Sequence, residues 1–155
     1  MFFDDLKVGM KQDINSVEVK KDEMIAFAKS YDNCPIHVDE EYAKNSKFGK
    51  LLSPGMFTFA LVWGEYLKND YFGEELLAGK STKMEWFAPV FAGDTLYGKA
   101  EIIDKIDRNP KNGIVVLQID IYNKDNVLVL TDITDPTTRD VYRPILLLSF
   151  LRQSF

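Results

Sequence analysis

The stretch from Ser53 to Trp63 constrains the fold more than any other part of the sequence. It reads SPGMFTFALVW. Serine is a favourable N-cap residue and proline suits the first position of a helix, so we expect a helix that begins at Pro54. Its apolar residues surround the axis instead of forming one stripe, which is typical of a helix buried on nearly all sides. Another part of the chain must therefore wrap around it.

The C-terminal half supplies the candidate wrapping layer. Small or apolar residues alternate with more polar ones over 95–102 and 115–121, as in strands with one buried face. Two further strands are predicted at 83–88 and 127–131, the second joined to its neighbour by turn residues 123–126. Together these elements predict an α+β domain in which a curved antiparallel β-sheet wraps around a buried central α-helix, the hot-dog arrangement.

A second helix leads into a candidate site. Apolar residues recurring at i, i+3, i+4 and i+7 predict an amphipathic helix over 23–31, preceded by a short strand. Pro35 cannot continue that helix because it lacks a backbone N–H, so we expect a turn with Asp32 and His37 at its ends. Asp39 is then a suitable N-cap for a short following helix.

Composition limits the class of protein. A chain of 155 residues fits one domain. Its net charge of −5 disfavours nucleic-acid binding, and no apolar run is long enough to cross a bilayer. The single cysteine, Cys34, cannot form an intrachain disulfide, and one cysteine with one histidine is too few for a zinc site. We therefore expect no metal and a reducing, cytoplasmic location.

Two titratable side chains, Asp32 and His37, lie five positions apart across the proline turn. Such a pair could hold one water molecule, with one group taking a proton and another delivering one, as the addition of water to a double bond requires. The alternative interpretation is an aspartate that terminates a helix and a structural histidine. The spacing by itself favours that alternative.

The start of the central helix adds a second feature. Its first backbone N–H groups, at Gly55 and Met56, have no partners within the helix and lie at its positive dipole end. Because Gly55 has no Cβ, a carbonyl oxygen could approach its N–H closely, as in an oxyanion site. The alternative is that Ser53-Pro54-Gly55 only starts a core helix.

Four motifs in order resemble the MaoC-like, (R)-specific enoyl-CoA hydratase family. SYDNCPIHVD at 30–39 is similar to the family's hydratase motif, approximately S-G-D-x-N-P-I-H-x-D. FGKLLSPGM at 48–56 is similar to its central-helix start. APVFAGDTL at 88–96 and FDDLKVG at 3–9 are similar to the beginning of one strand and to the N-terminal motif. The resemblance covers most of residues 3–133.

The resemblance implies a hydratase or dehydratase of fatty acid metabolism that acts on an acyl-CoA thioester. Asp32 and His37 would activate water, and the Gly55 N–H would bind the thioester carbonyl. It implies a homodimer or a dimer of dimers with the substrate tunnel at the subunit interface. No cofactor is expected, since coenzyme A is part of the substrate. The expected substrate-binding residues are Tyr31, Cys34, Ser53, Pro54 and Met56.

The chain departs from the family pattern at two positions in the active-site loop. Tyr31 replaces a glycine and Cys34 an asparagine, and a thiol is a weaker hydrogen-bond partner than a carboxamide. Cys34 could be a nucleophile beside His37, although a small, semi-buried thiol is the simpler interpretation. Residues 136–155 have no counterpart, so we expect a family domain over 1–135 followed by an extension that forms an extra helix or strand.

Two other functions remain open. Hot-dog thioesterases commonly carry a carboxylate on or beside the central helix, and the only acid between Gly55 and Leu67 is Glu65, near the far end. A non-catalytic acyl-CoA-binding subunit is the other alternative, and the substitutions at Tyr31 and Cys34 keep it open. A DNA-binding sensor is not indicated, because no helix-turn-helix segment is predicted.

Overall fold

The computed structural model describes residues 1–69 and 71–139. They form four α-helices and five β-strands, with short 3₁₀ turns at Phe3–Asp5 and Gly73–Glu75. In chain order the elements are β1 (Lys11–Glu18), α1 (Lys21–Tyr31), α2 (Pro35–Val38), α3 (Glu40–Asn45), α4 (Gly55–Leu67), β2 (Leu76–Trp86), β3 (Thr95–Asn109), β4 (Asn112–Asn123) and β5 (Leu128–Arg139).

The sheet is antiparallel, with strand order β1-β3-β4-β5-β2 among the described residues. The alternation predicted for β3 and β4 is confirmed: Leu96, Ala100 and Ile102 are buried, and so are Leu117 and Ile119 on the neighbouring strand. These side chains face α4. An α+β fold with a sheet wrapped around one helix, the hot-dog fold, is therefore confirmed.

Close packing of α4 on the sheet depends on a glycine. A Cβ at Gly98 in β3 would lie 2.8 Å from Val62 Cγ1 and 3.0 Å from Ile14 Cδ1. Val62 itself is fully buried. The missing side chain at Gly98 thus lets the middle of α4 lie against β1 and β3, and it fixes the distance between helix and sheet.

The prediction that α4 is buried on nearly all sides does not hold for the part of the chain that the structure describes. Four residues at helical spacing are exposed along one face: Met56, Ala60, Gly64 and Leu67. We call them the open stripe. They are apolar or small, which is why the sequence resembles that of a fully enclosed helix, yet no described segment of the same chain covers them.

The start of α4 also differs by one residue from the prediction. Pro54 is the N-cap, with ψ at 136°, and the helix begins at Gly55. Ser53 does not cap it, because its backbone N–H donates to Val90 O at 2.7 Å and draws the residue toward the loop before β3. Its hydroxyl instead accepts a hydrogen bond from Thr58 Oγ1 at 3.0 Å.

The last two strands in the sheet order are longer than predicted. β2 begins at Leu76 and not at residue 83, and β5 continues across residue 135 to Arg139, so that residues 136–139 belong to the sheet. Pro136 lacks an N–H for the hydrogen-bond ladder, which is unusual within a strand. It pairs with Gly79, beside the register shift between Gly79 and Thr82 in the β2–β5 ladder. The rest of the expected extension lies outside the described residues.

Candidate active site

Asp32 and His37 are positioned by two short helical segments. Asp32 is the C-cap of α1, and its N–H donates to Ala28 O at 2.8 Å. The segment predicted to be a turn contains α2, a short helix that begins at Pro35 and carries His37. Proline suits the start of a helix because its missing N–H would have no helical partner there. α1 is anchored on α4 through Phe27 and Phe57, whose ring centroids are 5.3 Å apart.

Leu52 fixes the orientation of the His37 ring. Its carbonyl oxygen lies 2.7 Å from His37 Nδ1, and its N–H donates to Ile36 O at 3.2 Å. Leu52 also pairs with Phe91 in an isolated antiparallel bridge. A carbonyl can only accept, so Nδ1 carries the proton, and in the neutral ring Nε2 is left with a lone pair.

That lone pair faces the carboxylate of Asp32. His37 Nε2 lies 3.5 Å from Asp32 Oδ2, beyond the usual length of a direct hydrogen bond. A water molecule bound beside both atoms could donate one hydrogen to Nε2 and the other to Oδ2. The His37 side chain is 11% exposed and that of Asp32 39%, so the pair lies at a protected place that solvent can still reach.

Cys34 interacts with the same carboxylate. Its Sγ–H donates to Asp32 Oδ1 at 3.3 Å. That hydrogen bond, the negative charge of Asp32 and a small desolvation effect raise the pKa of the Cys34 thiol above its usual value of 9.0. The thiol is thus a protonated donor at neutral pH, the opposite of what a thiolate nucleophile requires.

A cavity of about 530 Å³ holds the pair and reaches the start of α4. Five of the predicted site residues line it: Asp32, His37, Ser53, Gly55 and Met56. The first helical hydrogen bond runs from Thr58 N to Pro54 O at 3.0 Å, so the N–H groups of the first turn have no partner within α4. The cavity thus brings two titratable side chains close to a helix start that favours negative charge.

Three predicted site residues lie elsewhere. Tyr31 is 79% exposed and packs on Phe27, with ring centroids 5.1 Å apart. Cys34 contributes through Asp32 and does not line the cavity, and Pro54 is buried beneath the helix start. A role of these three in substrate binding stays a prediction.

Several cavity residues were not predicted from the sequence. Trp86 and Phe87, at the end of β2, form an aromatic wall, and Phe48 and Thr58 complete other sides. The Trp86 indole occupies the space over Gly55, where an added Cβ would lie 2.3 Å from Nε1. Gly55 is thus required for packing as well as for access to its N–H. Local sequence patterns place Trp86 and Phe87 on a predicted strand and Phe48 in a motif, but they do not show that these residues meet α4, because that contact forms only in the tertiary structure.

The described residues contain no group of three or more histidine, cysteine or acidic side chains that could hold a metal ion. None of the described helices has the length and hydropathy needed to cross a membrane.

Comparisons with known proteins agree with this geometry. YdeM of Bacillus subtilis is 28% identical over 130 residues, which are 83% of this chain and 92% of that protein. The 3-hydroxybutyryl-CoA dehydratase of Methylorubrum extorquens is 29% identical over 107 residues, 68% of this chain and 66% of the dehydratase. A MaoC-like dehydratase structure from Rhodospirillum rubrum superposes with a TM-score of 0.83 at 26% identity, over 91% of this chain and 98% of that one.

The sequence model of the MaoC-like domain matches residues 5–121, a span that includes Asp32, His37 and Gly55. The chain therefore belongs to the MaoC-like dehydratase family.

Proposed function

We propose that this protein is an acyl-CoA hydratase or dehydratase that adds water to, or removes it from, a 2-enoyl thioester. The observation that carries the proposal is the 3.5 Å approach of His37 Nε2 to Asp32 Oδ2 in a cavity beside the start of α4. The relatedness to a 3-hydroxybutyryl-CoA dehydratase supports the same reaction class. Acyl-CoA substrates would give the protein a role in fatty acid metabolism, and a cytoplasmic location stays a prediction.

In the direction of hydration, the Asp32–His37 pair takes a proton from water as the water oxygen bonds to C3 of the enoyl group. Electrons shift from the double bond onto the thioester oxygen, where the Gly55 N–H stabilises the developing charge. The pair then returns a proton to C2, which gives the 3-hydroxyacyl thioester. Coenzyme A is part of the substrate, and this proton transfer needs no cofactor.

Parallel measurement of two products tests the reaction. The purified protein is incubated with trans-2-enoyl-CoA thioesters while the conjugated double bond is followed by absorbance and free thiol by a colorimetric reagent. We expect loss of the double bond without thiol release. Thiol release would identify a thioesterase instead, and binding of thioesters without either change would identify a non-catalytic subunit.

The structure offers no specific support for thioester hydrolysis by the central helix. Glu65, the acid considered above, lies near the C-terminal end of α4, and its Oε1 is 2.5 Å from Lys68 Nζ. A carboxylate that is neutralised by a neighbouring lysine, and that does not line the cavity of the Asp32–His37 pair, is poorly suited to attack a thioester there.

We also propose that the functional unit is a homodimer. Within residues 1–69 and 71–139, the open stripe leaves one side of α4 uncovered, and β2 is an edge strand that is exposed along most of its length. A second copy of the chain could cover both surfaces and complete the walls of the cavity. An unpaired strand edge and an apolar helix face are features that soluble proteins normally cover.

A further inference from the structure

A second cavity lies next to the first along α4. Its volume is about 350 Å³, and it lies between α4 and the face of β2 that is directed toward the helix. Met56 lines both cavities, so they adjoin at this side chain. The second cavity has a largely apolar lining that includes Phe59, Trp63, Met84 and Thr134.

On the side of the sheet, Trp86 lies at the boundary between the two cavities. Trp86 lines the first cavity, and Met84, two residues earlier on the same face of β2, lines the second. Register pairing with Leu130 and the close packing of the indole on Gly55 limit the movement of Trp86 toward α4. Met56 and Trp86 are similarly exposed, at 50% and 53%, so the unbranched, flexible thioether chain is what makes Met56 the more adaptable half of the boundary.

The lining of the second cavity suits an alkyl chain. Its two threonine hydroxyls already have acceptors, because Thr82 donates to Asp132 Oδ1 and Thr134 donates to Ser81 O. The Ser81 hydroxyl, which also lines the cavity, donates to Asp135 Oδ2, and Lys80 is exposed and can extend its ammonium group into solvent. The aromatic and thioether side chains then provide the surface on which each added methylene of a ligand would gain free energy by burial.

We propose that Trp86, together with Met56, limits the acyl chain that the first cavity accepts. Short-chain enoyl thioesters are then the preferred substrates, and the second cavity is an unused extension of the acyl site that opens when the indole is removed. This inference rests on the proposed function, since it names the substrate class of the same site.

Chain-length profiles test the inference. kcat/KM is measured for trans-2-enoyl-CoA thioesters of four, eight and twelve carbons with the full chain and with Trp86→Ala. The wild type should lose kcat/KM as the chain lengthens. Trp86→Ala should raise the ratio of the eight-carbon to the four-carbon value by roughly tenfold or more, the scale on which pocket size discriminates between alkyl groups. Met56→Ala, made separately, should shift the ratio in the same direction.

Two controls separate a specific opening from general damage. Phe87→Ala changes a neighbouring side chain that is similarly exposed and also lines the first cavity. It is not on the face of β2 that Trp86 shares with Met84, so it should change all three rates by a similar factor. Adding Thr134→Leu to Trp86→Ala fills the second cavity and should reverse the gain for the longer chains.

Binding of saturated acyl-CoA thioesters of the same lengths, measured by calorimetry, distinguishes the two possible failures. If no enoyl thioester is hydrated but Trp86→Ala shifts binding toward longer chains, the proposed reaction is wrong and the length limit stands. If the wild type hydrates the four-carbon substrate but neither Trp86→Ala nor Met56→Ala changes the profile, the length limit is wrong. A protein that binds no acyl-CoA of any length would overturn both.

Discussion

The proton-transfer pair is the first residue-level feature open to test. Asp32→Asn removes the carboxylate that would hold the water, and His37→Ala removes the ring nitrogen that faces it. Each change should lower kcat by about 10² or more, the usual scale for loss of a general acid or base. Circular dichroism should show that both variants remain folded. Full activity in either folded variant would contradict the assigned roles.

Cys34 allows a sharper test, because it differs from the family's asparagine and donates to the carboxylate of Asp32. A carboxamide at this position is a stronger donor than a thiol, so Cys34→Asn should keep hydratase activity or raise it by up to roughly tenfold. Cys34→Ser should retain most of the activity, whereas Cys34→Ala, which has no donor, should lose more. Abolished turnover in Cys34→Asn, with an acyl-cysteine trapped in the wild type, would instead show a nucleophilic thiol.

At the level of elements, the sequence predicts the parts of the fold that carry a clear period. The alternation in β3 and β4 identifies both strands, and the apolar helix predicts the sheet around it. β2 is only partly predicted because, as an edge strand exposed on both faces, it shows no alternation at its beginning. The end of β5 is missed because the prediction stopped at residue 131, whereas the strand continues through Pro136 to Arg139.

The residues of the candidate site also form two groups: those that local sequence patterns predict and those that only folding brings together. Asp32, His37 and Gly55 are found because motif and helix-start chemistry are local properties of the sequence. Leu52 and Trp86 are not found, since one acts through a backbone carbonyl, which any residue has, and the other reaches Gly55 only after β2 has joined the sheet. Tyr31 is predicted to bind substrate from its place in the motif alone, and its ring points to solvent.

An acid on the inner face of β5 predicts how stability depends on pH. Asp132 is fully buried, and burial raises the pKa of its carboxyl, an effect partly offset by the hydrogen bond from Thr82. The folded protein therefore holds this proton more tightly than the unfolded chain. The contribution of Asp132 to stability is fully present below the ordinary value of 3.8 and is lost as the pH rises toward the folded-state pKa.

Asp132→Asn should remove that loss, because the amide keeps an acceptor for Thr82 and carries no charge. The free energy of unfolding, measured by urea denaturation from pH 4 to pH 7, should fall less steeply with pH in the variant than in the wild type. If the free energy of unfolding depends on pH in the same way in the wild type and in Asp132→Asn, the carboxyl titrates equally in the folded and unfolded states.

For the whole molecule, the open stripe and the β2 edge predict association. Light scattering at micromolar concentration should give at least twice the mass of one chain. Gly64→Glu places a charge in the open stripe where a Cβ meets no atom of the same chain within 4 Å, so it should weaken the dimer without disturbing the fold. Lys111→Glu, in the exposed turn between β3 and β4, is the matched control. A wild-type monomer would contradict the proposed assembly.

The hydrogen bond between His37 and Leu52 has a practical consequence for spectroscopy. His37 is the only histidine in the sequence. Selective ¹⁵N labelling of histidine would therefore place one imidazole, and no other, in the spectrum of the whole protein. With Nδ1 bound to the Leu52 carbonyl, the ring should show a pyrrole-type signal from Nδ1 and a pyridine-type signal from Nε2. Changes in those two resonances would report on this one ring, with no signal from another histidine to overlap them.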